Sequence, residues 1–293
     1  MIVVARSGTR PTVRCIESLK ATAEWGSFEL IIVDCLVSAR KTWIQTDSRV
    51  IVISANPEWP VMRQRELGLQ RATGEIVAIL NERYRVVPGW VHALLAAHTG
   101  NHDVVSGPVA PSAELDFAGS AMYLAEYWHI CPPVRSGPLD NSGAAMISGG
   151  NVAYKRSILQ ISEFGRATWE LDFHAALFKA GARFFLESGM QADFATPYTL
   201  GEYIRERYVV SRDIGHRRGE YFTRSRRCLA MAIQAVRPML LAARVSRRVF
   251  RTKVFRTKFL LALPWIMFFG GVQGIGEFVG YFLTSFRAKR HAD

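Results

Sequence analysis

Four cysteines in 293 residues, at positions 15, 35, 131 and 228, stand in no Cys-x-x-Cys spacing. That scatter reads as reduced cytosolic thiols rather than a zinc site or a disulfide frame. Internal repeats and low-complexity tracts are missing as well. So is a glycine-rich nucleotide fingerprint, since the Gly149-Gly150 pair does not have that spacing. His92, His98 and His102 share no helix-face partner set and do not read as metal ligands. No secretory signal is expected at the start, where Met1-Ile2-Val3-Val4-Ala5 already has the pattern of a strand. Acids are scarce from Arg205 to Lys258, where arginine and lysine dominate a chain of formal charge +12. Such a block favours an anionic partner. Its arginines lie beside apolar segments without a recognised reading motif, which points away from nucleic acid and toward an anionic membrane face.

What the chain does contain is apolar sequence cut into short runs. Hydrophobic residues make up 49%, enough for one large domain and an appendage. Ile2–Ala5, Phe28–Val33, Val50–Ser54, Ile76–Leu80 and Phe184–Leu186 read as buried strands, and a further strand opens at Asp103. Thr12–Ala23, Met62–Arg71, Trp90–His98 and Trp169–Ala180 have helical spacing. Pro108–Ile147 reads as irregular, and Lys155-Arg156 as the opening of a helix. Strands alternating with helices predict an α/β fold with a mostly parallel sheet. The most informative stretch is Gly74–Trp90. Its apolar run stops at Asn81-Glu82-Arg83, at the strand end where open α/β sheets bind ligands.

The tail differs in kind. Cys228–Val245 is apolar but interrupted by Arg237-Pro238, and Arg244–Lys258 is strongly basic. Phe259–Phe282 then runs roughly two dozen residues with Glu277 as its one charge, long enough to cross a hydrocarbon core of ~30 Å. The reading is a basic first segment lying on a membrane surface and a spanning or deeply inserted second one. The expected division is an α/β domain over 1–222 and a helical membrane-associated segment over 223–293.

Four stretches, in order over roughly residues 1 to 220, resemble a family 2 glycosyltransferase of the bacterial membrane-associated type, with a GT-A fold. Phe28-Glu29-Leu30-Ile31-Ile32-Val33-Asp34 is similar to the strand whose aspartate holds the nucleotide base. Arg63–Leu80 followed by Asn81-Glu82-Arg83, with Ala72-Thr73-Gly74 as its turn, resembles the segment leading into the metal-binding Asp-x-Asp. Gly149–Arg156 is similar to the acceptor-side glycine-asparagine turn, represented by Gly150 and Asn151. Trp169-Glu170-Leu171-Asp172 with Gly181 downstream resembles the acidic motif that supplies the catalytic base. Two positions depart from the pattern: Asp34-Cys35 replaces a pair of aspartates, and Asn81-Glu82-Arg83 keeps one carboxylate of the Asp-x-Asp.

The resemblance implies an inverting transfer of a sugar from a nucleotide-diphosphate sugar to a hydroxyl of a lipid-linked or polysaccharide acceptor, at the cytoplasmic face of the bacterial inner membrane. Glu170 would be the base by its distance from Gly181, with Asp172 in reserve. Asp34 would bind the base ring of the nucleotide. Glu82, helped by Asn81, would hold Mg²⁺ or Mn²⁺; alternatively Arg83 or Arg85 would neutralise the diphosphate without metal. Arg207, in a basic loop over Tyr203–Arg218, would close on the diphosphate. The competing implication is a catalytically degenerate protein serving as a membrane scaffold or partner subunit, because aspartates are missing.

Overall fold

The computed structural model describes residues 1–36, 47–144, 147–159, 164, 167, 170–195, 197–252 and 256–290. The chain forms two compact units: Met1–Ser112 with Ile130–Thr196, and Ala113–His129 with Pro197–Asp293. The first is α/β and the second helical.

In the α/β unit the apolar runs become β1 (Ile2–Ala5), β2 (Leu30–Asp34), β3 (Val50–Ser54) and β4 (Ile76–Asn81). They are followed by β5 (Tyr84–Val86), β6 (Val104–Ser106), β7 (Val109–Pro111), β8 (Gly137–Leu139), β9 (Asn151–Lys155), β10 (Phe184–Leu186) and β11 (Ala192–Phe194). Eight strands make one sheet in the order β3-β2-β1-β4-β9-β6-β10-β8, and β5, β11 and β7 make a second. The half from β3 to β4 is parallel throughout. Beyond it β9 runs antiparallel to β4 and β6, and β10 runs parallel to β6. Ile2, Val4, Ile31, Val33, Val77 and Ile79 form one core with Met62 and Leu69 of α2 (Val61–Arg71) and Phe173 and Leu177 of α6 (Glu170–Lys179). α1 (Thr9–Lys20) buries Thr12, Cys15, Ile16 and Leu19, a 3.6-residue stripe. α3 (Trp90–Thr99) buries Trp90, Val91 and Leu94. Register sets the rim: Val4 pairs with Asn81, and Ala5 with Asp34. The residues after β1, β2 and β4 therefore emerge side by side.

Two local expectations change. Pro108–Ile147 holds the short strands β7 and β8, the short α5 (Asn141–Ala144), and α4 (Phe117–Tyr127) of the helical unit. Asp116 starts α4, its Oδ1 accepting from Gly119 N at 2.7 Å. Three-residue strands give no alternation to read. After β9, Arg156–Ile158 is a single 3-10 turn rather than a helix opening.

The helical unit comprises α4, α7 (Leu200–Tyr221), α8 (Arg224–Gln234), α9 (Arg237–Thr252) and α10 (Arg256–Arg290). Its compactness begins at Pro197, ahead of the expected boundary at 222, because α7 packs on α10 at glycine. A Cβ on Gly276 would come within 2.6 Å of Tyr208 O, and one on Gly280 within 2.1 Å of Arg212 O. Tyr203–Arg218, expected as a loop, lies inside α7, which opens on a capping box of Thr199 and Glu202.

Candidate active site

Glu82 follows β4 and is buried. Its Oε1 accepts from Arg6 N at 3.0 Å and Ser7 N at 2.8 Å, and its Oε2 accepts from Thr12 Oγ1 at 2.8 Å. The carboxylate thus clasps the turn between β1 and α1, which passes through Gly8 at φ +118°, a conformation that favours glycine. Asn81 Oδ1 accepts from Arg83 N at 2.9 Å, and Asn81 N donates to Gly150 O at 2.8 Å. Arg83 is itself buried, its carbonyl accepting from Ala195 N. Arg85 Nη2 donates to Ser112 Oγ at 3.0 Å. On the neighbouring strand Asp34 is buried, and its Oδ1 accepts from Leu36 N at 2.8 Å. The Arg6 side chain is exposed at the same rim.

Glu170 opens α6, and two glycines bring it to this rim. A Cβ on Gly149 would fall 2.1 Å from Glu170 Cγ, and one on Gly150 would fall 2.7 Å from Asn81 Cβ. The turn is therefore a bare backbone wedged between the Glu170 side chain and the end of β4. Opposite stands Arg65 of α2, whose Nη1 donates to Glu170 Oε1 in an ion pair. Burial alone would raise the Glu170 pKa; the Arg65 guanidinium and hydrogen bonds outweigh it and hold the carboxyl below its ordinary range. Behind it His174 is fully buried, with Nε2 2.7 Å from Tyr154 Oη. Burial first, then Arg65, depresses His174 from 6.5 to about 4 against the pull of Glu170, so the ring is neutral at pH 7. Burial likewise raises the Tyr154 phenol.

No motif of the sequence singles out Arg65, yet its spacing carries a signal. The buried face of α2 runs Met62, Arg65, Glu66, Leu69, the spacing of a core stripe, and two of its four positions are charged. A charge at a core position needs a partner.

Asp34, Asn81, Glu82, Gly150 and Glu170 thus gather along one edge, and the remaining expectations fare differently. Asp172 is exposed, and Trp169 lies outside the described residues. Asn151 is fully buried, with Nδ2 donating to Pro108 O at 3.1 Å and Met190 O at 2.9 Å. Its Oδ1 accepts from Trp90 Nε1 at 3.0 Å. Every polar group of that side chain is used in holding β9 to its neighbours. Arg207 lies in the helical unit, with Nη1 2.6 Å from both oxygens of Glu126 and Nη2 3.3 Å from Glu206. Its charge is matched there by these two carboxylates.

A divalent cation at a phosphate site is bound through one or two carboxylates together with the phosphates. The one carboxylate of Asn81-Glu82-Arg83 has both oxygens turned to protein donors, and Asn81 Oδ1 faces Arg83 N. Among the described residues no group of three or more His, Cys, Asp or Glu side chains converges. As arranged, with Glu82 holding the turn after β1 and no second carboxylate beside it, this donor set does not fit Mg²⁺ or Mn²⁺.

Comparison with known proteins agrees with this architecture. No curated protein sequence matches the chain. The solved structure of S. aureus TarS residues 1-349 superposes with a TM-score of 0.52 at 15% identity, covering 98% of this chain and 90% of that one. GalNAc-T7, solved with UDP, GalNAc and Mn²⁺, superposes with a TM-score of 0.51 at 14% identity, covering 67% of this chain. The chain spans 43% of the length of GalNAc-T7 and 38% of a longer TarS structure. At these identities the likeness establishes the fold, which is GT-A. The model of the family described as "Glycosyl transferase family 2" matches residues 2–161, more than half of the sequence, and the chain belongs to that family.

Proposed function

We propose that the protein is an inverting glycosyltransferase that moves a sugar from a nucleotide-diphosphate donor to a hydroxyl of a lipid-linked or polysaccharide acceptor, at the cytoplasmic face of a bacterial inner membrane. One observation carries the reading: a carboxylate, Glu170, kept ionised by Arg65 and pressed through Gly149-Gly150 against the end of β4. In inversion the acceptor oxygen attacks the anomeric carbon as the bond to the diphosphate oxygen breaks, and a carboxylate opposite the leaving group takes the hydroxyl proton. Glu170 has the charge state for that step at pH 7, and Asp172 is the reserve. Asp34 accepts a hydrogen bond from the nucleobase, and Gly150 leaves room on the acceptor side. Positive charge for the departing diphosphate comes from arginines of the rim: Arg83, and Arg6 on the turn that Glu82 clasps. The basic tail holds the protein against anionic lipid, where a lipid-linked acceptor resides.

The engagement of Glu82 and Asn151 inside the protein favours a second reading, a degenerate transferase fold acting as a scaffold. Nucleoside diphosphate release from a panel of nucleotide-diphosphate sugars, with membrane lipid extract as acceptor source, separates the two. Release by the wild type and its loss in Glu170→Gln, with folding intact, supports transfer. No release from any donor supports the scaffold.

A further inference from the structure

Leu261, Phe268, Ile275 and Phe282 recur every seven residues along α10, and all four are exposed. That spacing keeps them on one side of the helix, with exposed Leu260, Met267 and Phe278 beside them. At 1.5 Å per residue the stripe is ~32 Å long, and it contains no charge. A contiguous apolar surface of this kind marks a binding face.

Another side of α10 is closed by protein. Gly276 and Gly280 abut the backbone of α7 around Tyr208, Arg212 and His216, and Gly219 abuts Thr284. Thr284 Oγ1 lies 3.0 Å from His216 O. Gly270 and Gly274 receive the elbow between α8 and α9 at Pro238 and Gln234. Beside that elbow Glu277 is buried and paired with Arg237 at 2.6 Å. α10 therefore carries α7 along its C-terminal half, and α7 is no membrane helix. From Tyr203, whose ring is 4.7 Å from that of Phe269, to Gly219 against Thr284, α7 bears Arg205, Glu206, Arg212, Asp213, Arg217 and Arg218, with Arg205, Arg217 and Arg218 exposed. A charged side chain at the centre of a bilayer costs ~3 kcal/mol or more, so a spanning α10 would drag several such charges into hydrocarbon.

We propose that α10 does not cross the membrane. It lies along one anionic leaflet, its apolar stripe in the acyl chains and α7 on the aqueous side. α9 lies there with it as a basic interfacial helix. Leu241, Val245 and Val249 are buried against protein, whereas Met239, Ala243 and Phe250 are exposed together on one face. Arg244, Arg248 and Arg251 share another face by their i, i+4, i+7 spacing. From Arg224 to Thr252 there are eight arginines and no acid, the charge complement of an anionic headgroup layer.

This inference rests on the membrane association in the functional reading above, and the test separates the two. Single cysteines are placed at Arg256→Cys and Arg290→Cys, the two ends of α10, in full-length protein carrying Cys228→Ser. Each protein is bound to phosphatidylcholine vesicles with and without phosphatidylglycerol, then treated with a membrane-impermeant maleimide before and after detergent. The expected result is binding at least tenfold stronger with phosphatidylglycerol and full labelling at both ends before detergent. Arg244, Arg247 and Arg251 changed together to Ser should remove the phosphatidylglycerol preference. Phe268→Asp with Ile275→Asp should remove binding while circular dichroism and thermal unfolding stay unchanged. An end protected until detergent is added overturns this inference alone. Equal binding to both vesicle types overturns the charge assignment. Absence of vesicle binding overturns membrane association itself, and a concentration-dependent dimer lost in the Asp double variant would then identify the stripe as a contact between two copies.

Discussion

Replacing Glu82 by Gln and by Ala should give two very different proteins. Its carboxylate receives Arg6 N, Ser7 N and the Thr12 hydroxyl. Alanine leaves all three donors without that acceptor, and an unsatisfied buried donor costs ~1–3 kcal/mol. The two amides are partly buried and Thr12 retains Gly8 O at 3.0 Å, so the estimate for Glu82→Ala is about 2–4 kcal/mol. Glutamine can keep its carbonyl on the two amides. The Thr12 hydroxyl then donates to Gly8 O and accepts from the new amide group. What is lost is the charge assistance, about 1 kcal/mol. Urea unfolding followed by tryptophan fluorescence reads both values, and Mn²⁺ titration by calorimetry, with and without UDP, reads metal affinity. Both variants should bind Mn²⁺ no differently from the wild type. The clasp is refuted if Glu82→Ala is as stable as the wild type, or if Glu82→Gln unfolds as readily as Glu82→Ala. The rejection of a cation is refuted if the wild type binds Mn²⁺ through a site that Glu82→Gln destroys.

Other outcomes follow from the Glu170 surroundings. Arg65→Met removes the largest of the interactions that oppose burial of Glu170, so the acid limb of the pH–activity profile should move to higher pH; an unmoved limb would separate Arg65 from the base. Gly149→Ala places a Cβ 2.1 Å from Glu170 Cγ and should lower kcat by roughly 100-fold, since a shift of about 1 Å at a reacting group costs that much. His174 titrates at 6.5 unfolded and about 4 folded, so its contribution to stability is complete above pH 6.5 and is lost as pH falls toward 4. At ~1.4 kcal/mol per pH unit this is roughly 3 kcal/mol. His174→Gln should flatten the stability profile between pH 6.5 and 4 in urea titrations. Glu170, also depressed, weakens stability only as pH falls below its ordinary range and does not imitate this window.

The sheet was legible because its strands are unbroken apolar runs. Ile2–Ala5 and Ile76–Leu80 needed only length and a polar stop to declare both the strand and the rim where it ends. The acidic opening of α6 was legible through its distance from Gly181. Side-chain direction was not. Glu82 has the spacing of a ligand, and only the fold reveals that its oxygens meet the backbone after β1. Asn151 sits in a glycine-asparagine turn, yet its partners Pro108, Met190 and Trp90 are remote in sequence. Arg207 looks like a loop cation in the sequence because its counter-ion, Glu126, lies 81 residues earlier. The three share one cause: charge and amide groups follow one another along the chain, whereas their partners come from across it.

The most direct test of the account is the pH dependence of sugar transfer by wild type and Glu170→Gln, once a donor that releases nucleoside diphosphate has been found. The account predicts activity at pH 7 with its acid limb below the ordinary carboxylate range, and a loss of 10²–10⁴-fold in Glu170→Gln, the usual scale of general-base catalysis. Equal rates for the two proteins, each shown to be folded, would contradict it.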